Sequence, residues 1–247
     1  MVYIGRNRIH LDEIVSTNNE LKRLFLEADI EHGTLLTTSF QAGGKGQMGS
    51  GWESNYGLNF IGTYFLKPKI RLADIFTLNM ISSLAVKETV AEFVNRVVEI
   101  KWPNDIVVEG RKVSGILIET KLYESEVEGA FIGIGLNINQ LNFKKFKREA
   151  TSLKKEIGKD VEIDSIIQRL NFHLQQFYSL YELKGYDFLN FLYHQDLYLK
   201  GEEIAYRIGK DVRFLILQSV NKFGNAQFFN QKGKLEEYGL KEIEFLK

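Results

Sequence analysis

Residues 41 to 52 read Gln-Ala-Gly-Gly-Lys-Gly-Gln-Met-Gly-Ser-Gly-Trp, five glycines around one lysine, closed by a tryptophan. No helix or strand interior is built this way, because glycine gives up more backbone freedom on ordering than any other residue. A glycine cluster is useful where the backbone itself must come close to something. Consecutive unshielded N–H groups form a concavity for anions, and Lys45 places a cation inside it. A solvated surface loop is the alternative that the run alone leaves open.

Two phosphate loops can be tested against it. Gly44, Gly46 and Gly49 fit G-x-G-x-x-G, but that fingerprint opens directly into a helix. Here the chain passes through Gly57 into Leu58 to Leu66, an apolar β-like run. A Walker loop requires Ser or Thr after Gly-Lys, and Gly46 follows Lys45. Neither reading applies.

The flanking chain alternates strands and helices. Gly33 to Phe40, rich in Leu and Thr, predicts the strand that delivers the run, and Leu58 to Leu66 predicts the next. Upstream, Thr17 and Glu20 have capping-box spacing before Leu21, Leu24 and Phe25, so a helix starts there. Ser16, Thr17 and Asn18 either cap that helix or offer short polar groups to a ligand. Apolar residues recurring from Ile75 to Phe93 predict a long helix with one face on the sheet. Val97 to Lys101 and Ile106 to Val108 are short strands around Trp102-Pro103-Asn104-Asp105. Glu109-Gly110-Arg111-Lys112 then reads as a hairpin turn, where a lysine is ordinarily solvated. Val127 to Asn139 is a buried strand whose Gly133 and Gly135 mark a close approach or a tight bend. Ile163 to Leu183 has helical periodicity, and short β-like runs follow at 203–207, 212–220, 226–230 and 242–246.

Four of these stretches together resemble the biotin protein ligases. Gln41, Gly44, Gly46, Gly49 and Trp52 fall in register on that family's glycine-rich loop, and Ser16-Thr17-Asn18 stands at the expected helix start. Lys101-Trp102-Pro103-Asn104-Asp105, followed by Gly110-Arg111-Lys112 and Gly115-Ile116-Leu117-Ile118-Glu119, matches the family's strongest signature without a gap. Gly133-Ile134-Gly135-Leu136-Asn137 completes the set.

The resemblance implies an α+β fold. Residues 1–199 form a catalytic domain with a mixed, largely antiparallel sheet and helices on one side, and residues 200–247 a small SH3-like β-barrel. It implies a ligase that joins biotin to ATP, with Mg²⁺, as biotinyl-5′-adenylate, then passes the biotinyl group to a lysine of a biotin carboxyl carrier domain. No redox cofactor is called for. Lys112 falls on the catalytic lysine, bridging the biotin carboxylate and the α-phosphate. Biotin is assigned to Ser16, Thr17, Asn18, Gln41, Gly44, Lys45, Gly46 and Gln47, with Lys112, Gly115 and Gly133. The adenylate is assigned to Lys45, Gln47, Trp52, Asn104, Asp105 and Asn137, and Asp105 also to Mg²⁺. The segment 142–152 is expected to fold over the adenine. Lys45 and Met48 stand where arginines are usual, and Asn55 where proline is; lysine keeps the charge but lacks the bidentate fork. Because the Ser-Thr-Asn motif begins at residue 16, the N-terminal DNA-binding domain of some relatives is not expected.

Composition narrows the partners. Lys plus Arg and Asp plus Glu are equal at 32 each, so no global basic field favours nucleic acid. With no cysteine, disulfides, thiolate nucleophiles and thiolate zinc sites are excluded. No apolar run reaches signal-peptide or membrane-span length, so a cytoplasmic protein without membrane partners is expected. The four histidines have no ligand spacing. A homodimer is left open. Two rivals remain: a lipoate protein ligase, which shares fold and chemistry, and a non-catalytic biotin or nucleotide sensor. The Ser-Thr-Asn start and the complete Lys-Trp-Pro-Asn-Asp stretch argue for biotin, and Lys112 argues for an enzyme.

Overall fold

Strand β3, Phe60–Leu66, is buried at every position, which requires cover on both faces of its sheet. A computed structural model, describing residues 3–44, 46, 51–124, 126–143 and 149–246, shows what supplies that cover. β3 lies within a seven-stranded sheet with β1 (Arg8–Ile14), β2 (Leu35–Gln41), β4 (Val98–Lys101), β5 (Asp105–Val108), β6 (Arg111–Tyr123) and β7 (Glu126–Leu136). The order is β1-β2-β3-β7-β6-β5-β4. β1 and β2 are parallel and the other neighbours antiparallel, so the sheet is mixed as expected.

Side chains alternate between the faces along each strand. Leu35, Tyr64 and Ile132 enter the main core, while Leu36, Phe65 and Phe131 enter a smaller one. The smaller core is closed by α1 (Thr17–Glu27) through Leu21 and Phe25. On the opposite face α2 (Phe76–Ala91) lies against the sheet, and α4 (Ile163–Lys184) and α5 (Tyr186–Gln195) pack against α2. Helices on one side therefore describes α2, α4 and α5, while α1 covers the other side. α3 (Leu153–Ile157) is a short turn of helix capped by Ser152, whose side chain accepts the Lys155 N–H.

The expected one-sided α2 is buried nearly all round, including Thr77, Ser82, Ser83 and Thr89. A helix sandwiched between a sheet and other helices has no solvent face to mark. The Ser82 and Thr89 hydroxyls are satisfied locally, donating to the carbonyls of Leu78 and Ala85 at 2.7 and 2.8 Å.

The C-terminal part is a five-stranded antiparallel sheet of β8 (Glu203–Ile208), β9 (Asp211–Val220), β10 (Ala226–Asn230), β11 (Leu235–Tyr238) and β12 (Glu244–Phe245), ordered β11-β10-β9-β8-β12. The four runs read from sequence are strands here, and β11 is an addition hidden by its polar Leu-Glu-Glu-Tyr sequence. Its inner aromatics Tyr206, Phe228 and Phe245 join the main core. Trp102 Nε1 donates to the Gly224 carbonyl at 2.9 Å, and the buried Lys101 ammonium lies 5.1 and 5.0 Å from the rings of Tyr198 and Phe245. Among the described residues no helix is long and apolar enough to cross a membrane.

Candidate active site

Antiparallel register sets Asp105, Gly115, Gly135 and Ile61 in one row across β5, β6, β7 and β3, with Leu117, Gly133 and Thr63 in the next. Directly opposed residues share a face, and this is the face that α1 covers only in part. Its glycines leave the floor bare. A Cβ on Gly133 would stand 2.3 Å from Asn18 Oδ1, and one on Gly135 2.3 Å from Trp52 Cε2. None of these glycines has a positive φ, so close approach and not backbone conformation requires them. Above this floor lies a cavity of about 690 Å³.

One wall is the start of α1. The spacing of Thr17 and Glu20 suggests a capping box, but Ser16 is the N-cap, its side chain makes no capping bond, and Glu20 pairs with Arg23. The helix end is served from β2 instead: Gln41 Oε1 accepts the Thr17 N–H at 2.7 Å and lies 3.1 Å from its hydroxyl. The short polar side chains thereby turn inward. Ser16, Thr17 and Asn18 are each 4% exposed and face the cavity. Thr63 Oγ1 lies 2.8 Å from Thr17 Oγ1 and 2.6 Å from Asn18 Oδ1. Asn18 Nδ2 donates to Glu119 Oε2 at 2.8 Å.

The other wall carries Lys112. The expected Glu-Gly-Arg-Lys turn is shorter: Glu109 and Gly110, at φ 47° and 78°, make it alone, and Lys112 already belongs to β6. Lys112 pairs with Val107 but Ser114 pairs with Ile106, a register slip that inserts one extra residue in β6. Such a bulge re-aims the side chains beyond it, and here it brings Lys112 onto the face of Gly115. Its Nζ is 2.6 Å from Asp105 Oδ1 and 5.7 Å from the centre of the Trp52 ring. Asp105 is 5% exposed. The backbone of Lys112 is strapped by a parallel bridge to Ala150, with bonds to Glu149 O at 3.0 Å and from Thr151 N at 2.8 Å.

The remaining expected residues divide. Gly46, Trp52, Asn104, Asn137 and Gly115 line the cavity, whereas Gly44 does not and instead accepts the Trp52 N–H at 2.9 Å. Asn104 spends its amide inside the fold, donating to Ile116 O at 2.7 Å. Asn137 donates to Thr151 O at 2.9 Å, and among the described residues its buried Oδ1 has no partner; the same holds for buried Trp52 Nε1. Lys45, Gln47 and Met48, and residues 144–148 of the expected adenine cover, lie outside the described residues. Among the described residues no cluster of three or more metal-ligating side chains exists, and Asp105 Oδ1 faces an ammonium.

Sequence reasoning misses Thr63, Glu119 as the Asn18 partner, and the cavity wall formed by Leu240 to Phe245. A threonine inside the apolar run Phe60 to Leu66 is a signal for the first; nothing in Leu-Lys-Glu-Ile-Glu-Phe marks the last.

The geometry can be set beside known proteins. The profile of the biotin/lipoate A/B protein ligase family matches residues 11–137, just over half of the chain. The bifunctional ligase/repressor BirA of Bacillus spizizenii is 29% identical over 246 residues, covering 97% of this chain and 73% of that protein. The biotin–[acetyl-CoA-carboxylase] ligase of Paracoccus denitrificans is 33% identical over 125 residues, 50% of this chain and 51% of its own. Among solved structures, the biotin protein ligase from Aquifex aeolicus in complex with biotin and ATP has a TM-score of 0.79 at 25% identity, covering 97% of this chain and 98% of that one.

Proposed function

The chain belongs to the biotin/lipoate A/B protein ligase family, and from that premise we propose that it is a biotin protein ligase that makes biotinyl-5′-adenylate and transfers the biotinyl group to a carrier lysine. The observation that carries this reading is the cleft itself. Small polar groups of Ser16, Thr17 and Asn18 stand at one end, the Lys112–Asp105 pair at the other, and bare glycine backbone lies between.

A cyclic urea offers one carbonyl and two N–H groups, which short side chains of mixed donor and acceptor character can match. The carboxylate end of the same ligand then reaches Lys112. In the first step a carboxylate oxygen bonds to the α-phosphorus of ATP and the bond to pyrophosphate breaks. Both partners are anionic, so the protein's contribution is alignment and charge neutralisation in a site that excludes water. Lys112 supplies the positive charge where carboxylate and α-phosphate meet, and Asp105 keeps its ammonium pointed there. Magnesium enters with ATP as part of the substrate. Trp52 and Asn137, each with a buried polar atom that pairs with none of the described residues, are the groups we assign to the adenylate. In the second step a carrier-lysine amine attacks the acyl carbon, AMP leaves, and one proton is released. Residues 1–199 carry this chemistry, and residues 200–247 contribute the wall at 240–245. A carrier domain is the proposed protein partner.

Lipoate has no urea and gives the α1 network nothing to pair with. Thermal unfolding with biotin or lipoate, each with and without MgATP, tests the choice, since a ligand that binds only the native state raises the melting temperature. Biotin should raise it, more with ATP, and lipoate should not. The opposite ranking would assign the site to lipoate.

A further inference from the structure

The hydroxyl of Thr63 faces two neighbours with one proton. Thr63 is fully buried on β3, 2.6 Å from Asn18 Oδ1 and 2.8 Å from Thr17 Oγ1. The Asn18 amide is oriented independently: its nitrogen faces Glu119 Oε2 at 2.8 Å and the Leu117 carbonyl at 3.3 Å, both acceptors. Its oxygen is therefore the atom turned to Thr63, and an amide oxygen only accepts, so the Thr63 proton goes there. Gln41 is oriented in the same way, because its Oε1 takes the Thr17 backbone N–H at 2.7 Å and a backbone N–H only donates. Among the described residues the Thr17 proton is left with two acceptors, Thr63 Oγ1 at 2.8 Å and Gln41 Oε1 at 3.1 Å. Both lie inside the network. What Thr17 turns to the cavity is lone pairs.

We propose that Thr63 is a positioning residue that, together with Gln41, holds the Thr17 proton inside the network, setting this end of the cleft to receive an N–H of a cyclic urea. The proposal rests on the biotin-ligase reading and adds the residue that fixes the polarity of its pocket. Thr63 acts only through Thr17 and Asn18. The Ser16 hydroxyl, which caps nothing, is exempt from the constraint and can donate to the urea carbonyl. A ligand that brought a carbonyl to Thr17 would oppose lone pair to lone pair and lose the bond.

The test uses the intact protein. Thr63→Val removes the hydroxyl at nearly constant shape, and Thr63→Ser retains it. Calorimetric titration with biotin alone should show Kd raised roughly fivefold to tenfold in Thr63→Val and within about twofold of wild type in Thr63→Ser, the size of one neutral hydrogen bond. In pyrophosphate release, the KM for biotin should follow while the KM for ATP stays put. An unchanged biotin Kd in folded Thr63→Val overturns the proposal, as does an equal rise in both KM values in both variants. Should Thr63→Val fail to fold, Glu119→Leu frees the Asn18 amide to turn and should raise the biotin Kd to the same degree; no rise overturns the proposal. A wild type that neither binds biotin nor releases pyrophosphate would overturn the ligase reading, and this proposal with it. Wild-type binding with an unaffected Thr63→Val would overturn the polarity proposal alone.

Discussion

Lys112 Nζ and Asp105 Oδ1 are 2.6 Å apart across a strand pair whose register slips by one residue between them. Without the slip, Val113 would oppose Ile106 and Lys112 would lie on the other face from Gly115. The bulge therefore makes a lysine beside a hairpin into a cleft residue, and Asp105 fixes its ammonium there.

If Asp105 serves to hold Lys112, replacing it with asparagine keeps the shape and a neutral acceptor but loses the ion pair. Asp105→Asn should slow biotin-dependent pyrophosphate release by about tenfold or more while leaving the biotin Kd near its wild-type value. Turnover within a factor of two of wild type would show that Lys112 finds its position unaided.

The two floor glycines should separate by substrate. Gly133→Ala places a methyl 2.3 Å from Asn18 Oδ1 and should weaken biotin binding, whereas Gly135→Ala places one 2.3 Å from the Trp52 ring and should act mainly on ATP. Separate titrations with each ligand check this, with losses of about tenfold expected from displacing one well-placed contact. Wild-type affinity for both ligands in both variants would contradict the close approach.

His194 ties α5 to the C-terminal sheet as a neutral ring. Its Nε2 accepts the Val220 N–H at 2.8 Å, which leaves Nδ1 to donate to Asn190 O at 2.7 Å. Burial pushes its pKa below the ordinary 6.5, with the Lys200 charge acting in the same direction and the bond to Asn190 opposing. Burial likewise lowers His32. A histidine with a depressed folded pKa contributes stability that is complete above its unfolded value, about 6.5, and is lost as pH falls through the folded one. Melting temperatures should therefore decline on acidification below about pH 6.5, and the His194 NMR titration should have its midpoint below that value. A midpoint above it would contradict the neutral tie.

How much of this is legible in the sequence depends on range. Strands β2, β3 and β7 and helix α4 follow from local periodicity, and the glycine-rich run and the Lys-Trp-Pro-Asn-Asp stretch point to the cleft without coordinates. What fails is whatever another element decides. Thr17 and Glu20 have the spacing of a box, yet Gln41, 24 residues away, takes the N–H. The α2 pattern lacks a polar face because α4 and α5 cover it. The bulge that aims Lys112 is a property of pairing, not of the residues in β6 alone, and Thr63, though marked as a polar residue in an apolar run, shows its role only once Thr17 and Asn18 are seen against it.

The central claim is that this cleft activates biotin with ATP and that Lys112 carries the charge that makes it possible. Pyrophosphate release from biotin and MgATP, without carrier, measured on wild type and on Lys112→Ala of matched circular dichroism, tests it most directly. The account predicts biotin-dependent release by wild type and a loss of at least about a hundredfold in the variant, the 2 to 3 kcal/mol expected from removing one transition-state charge contact. Release from folded Lys112→Ala at near the wild-type rate would contradict it.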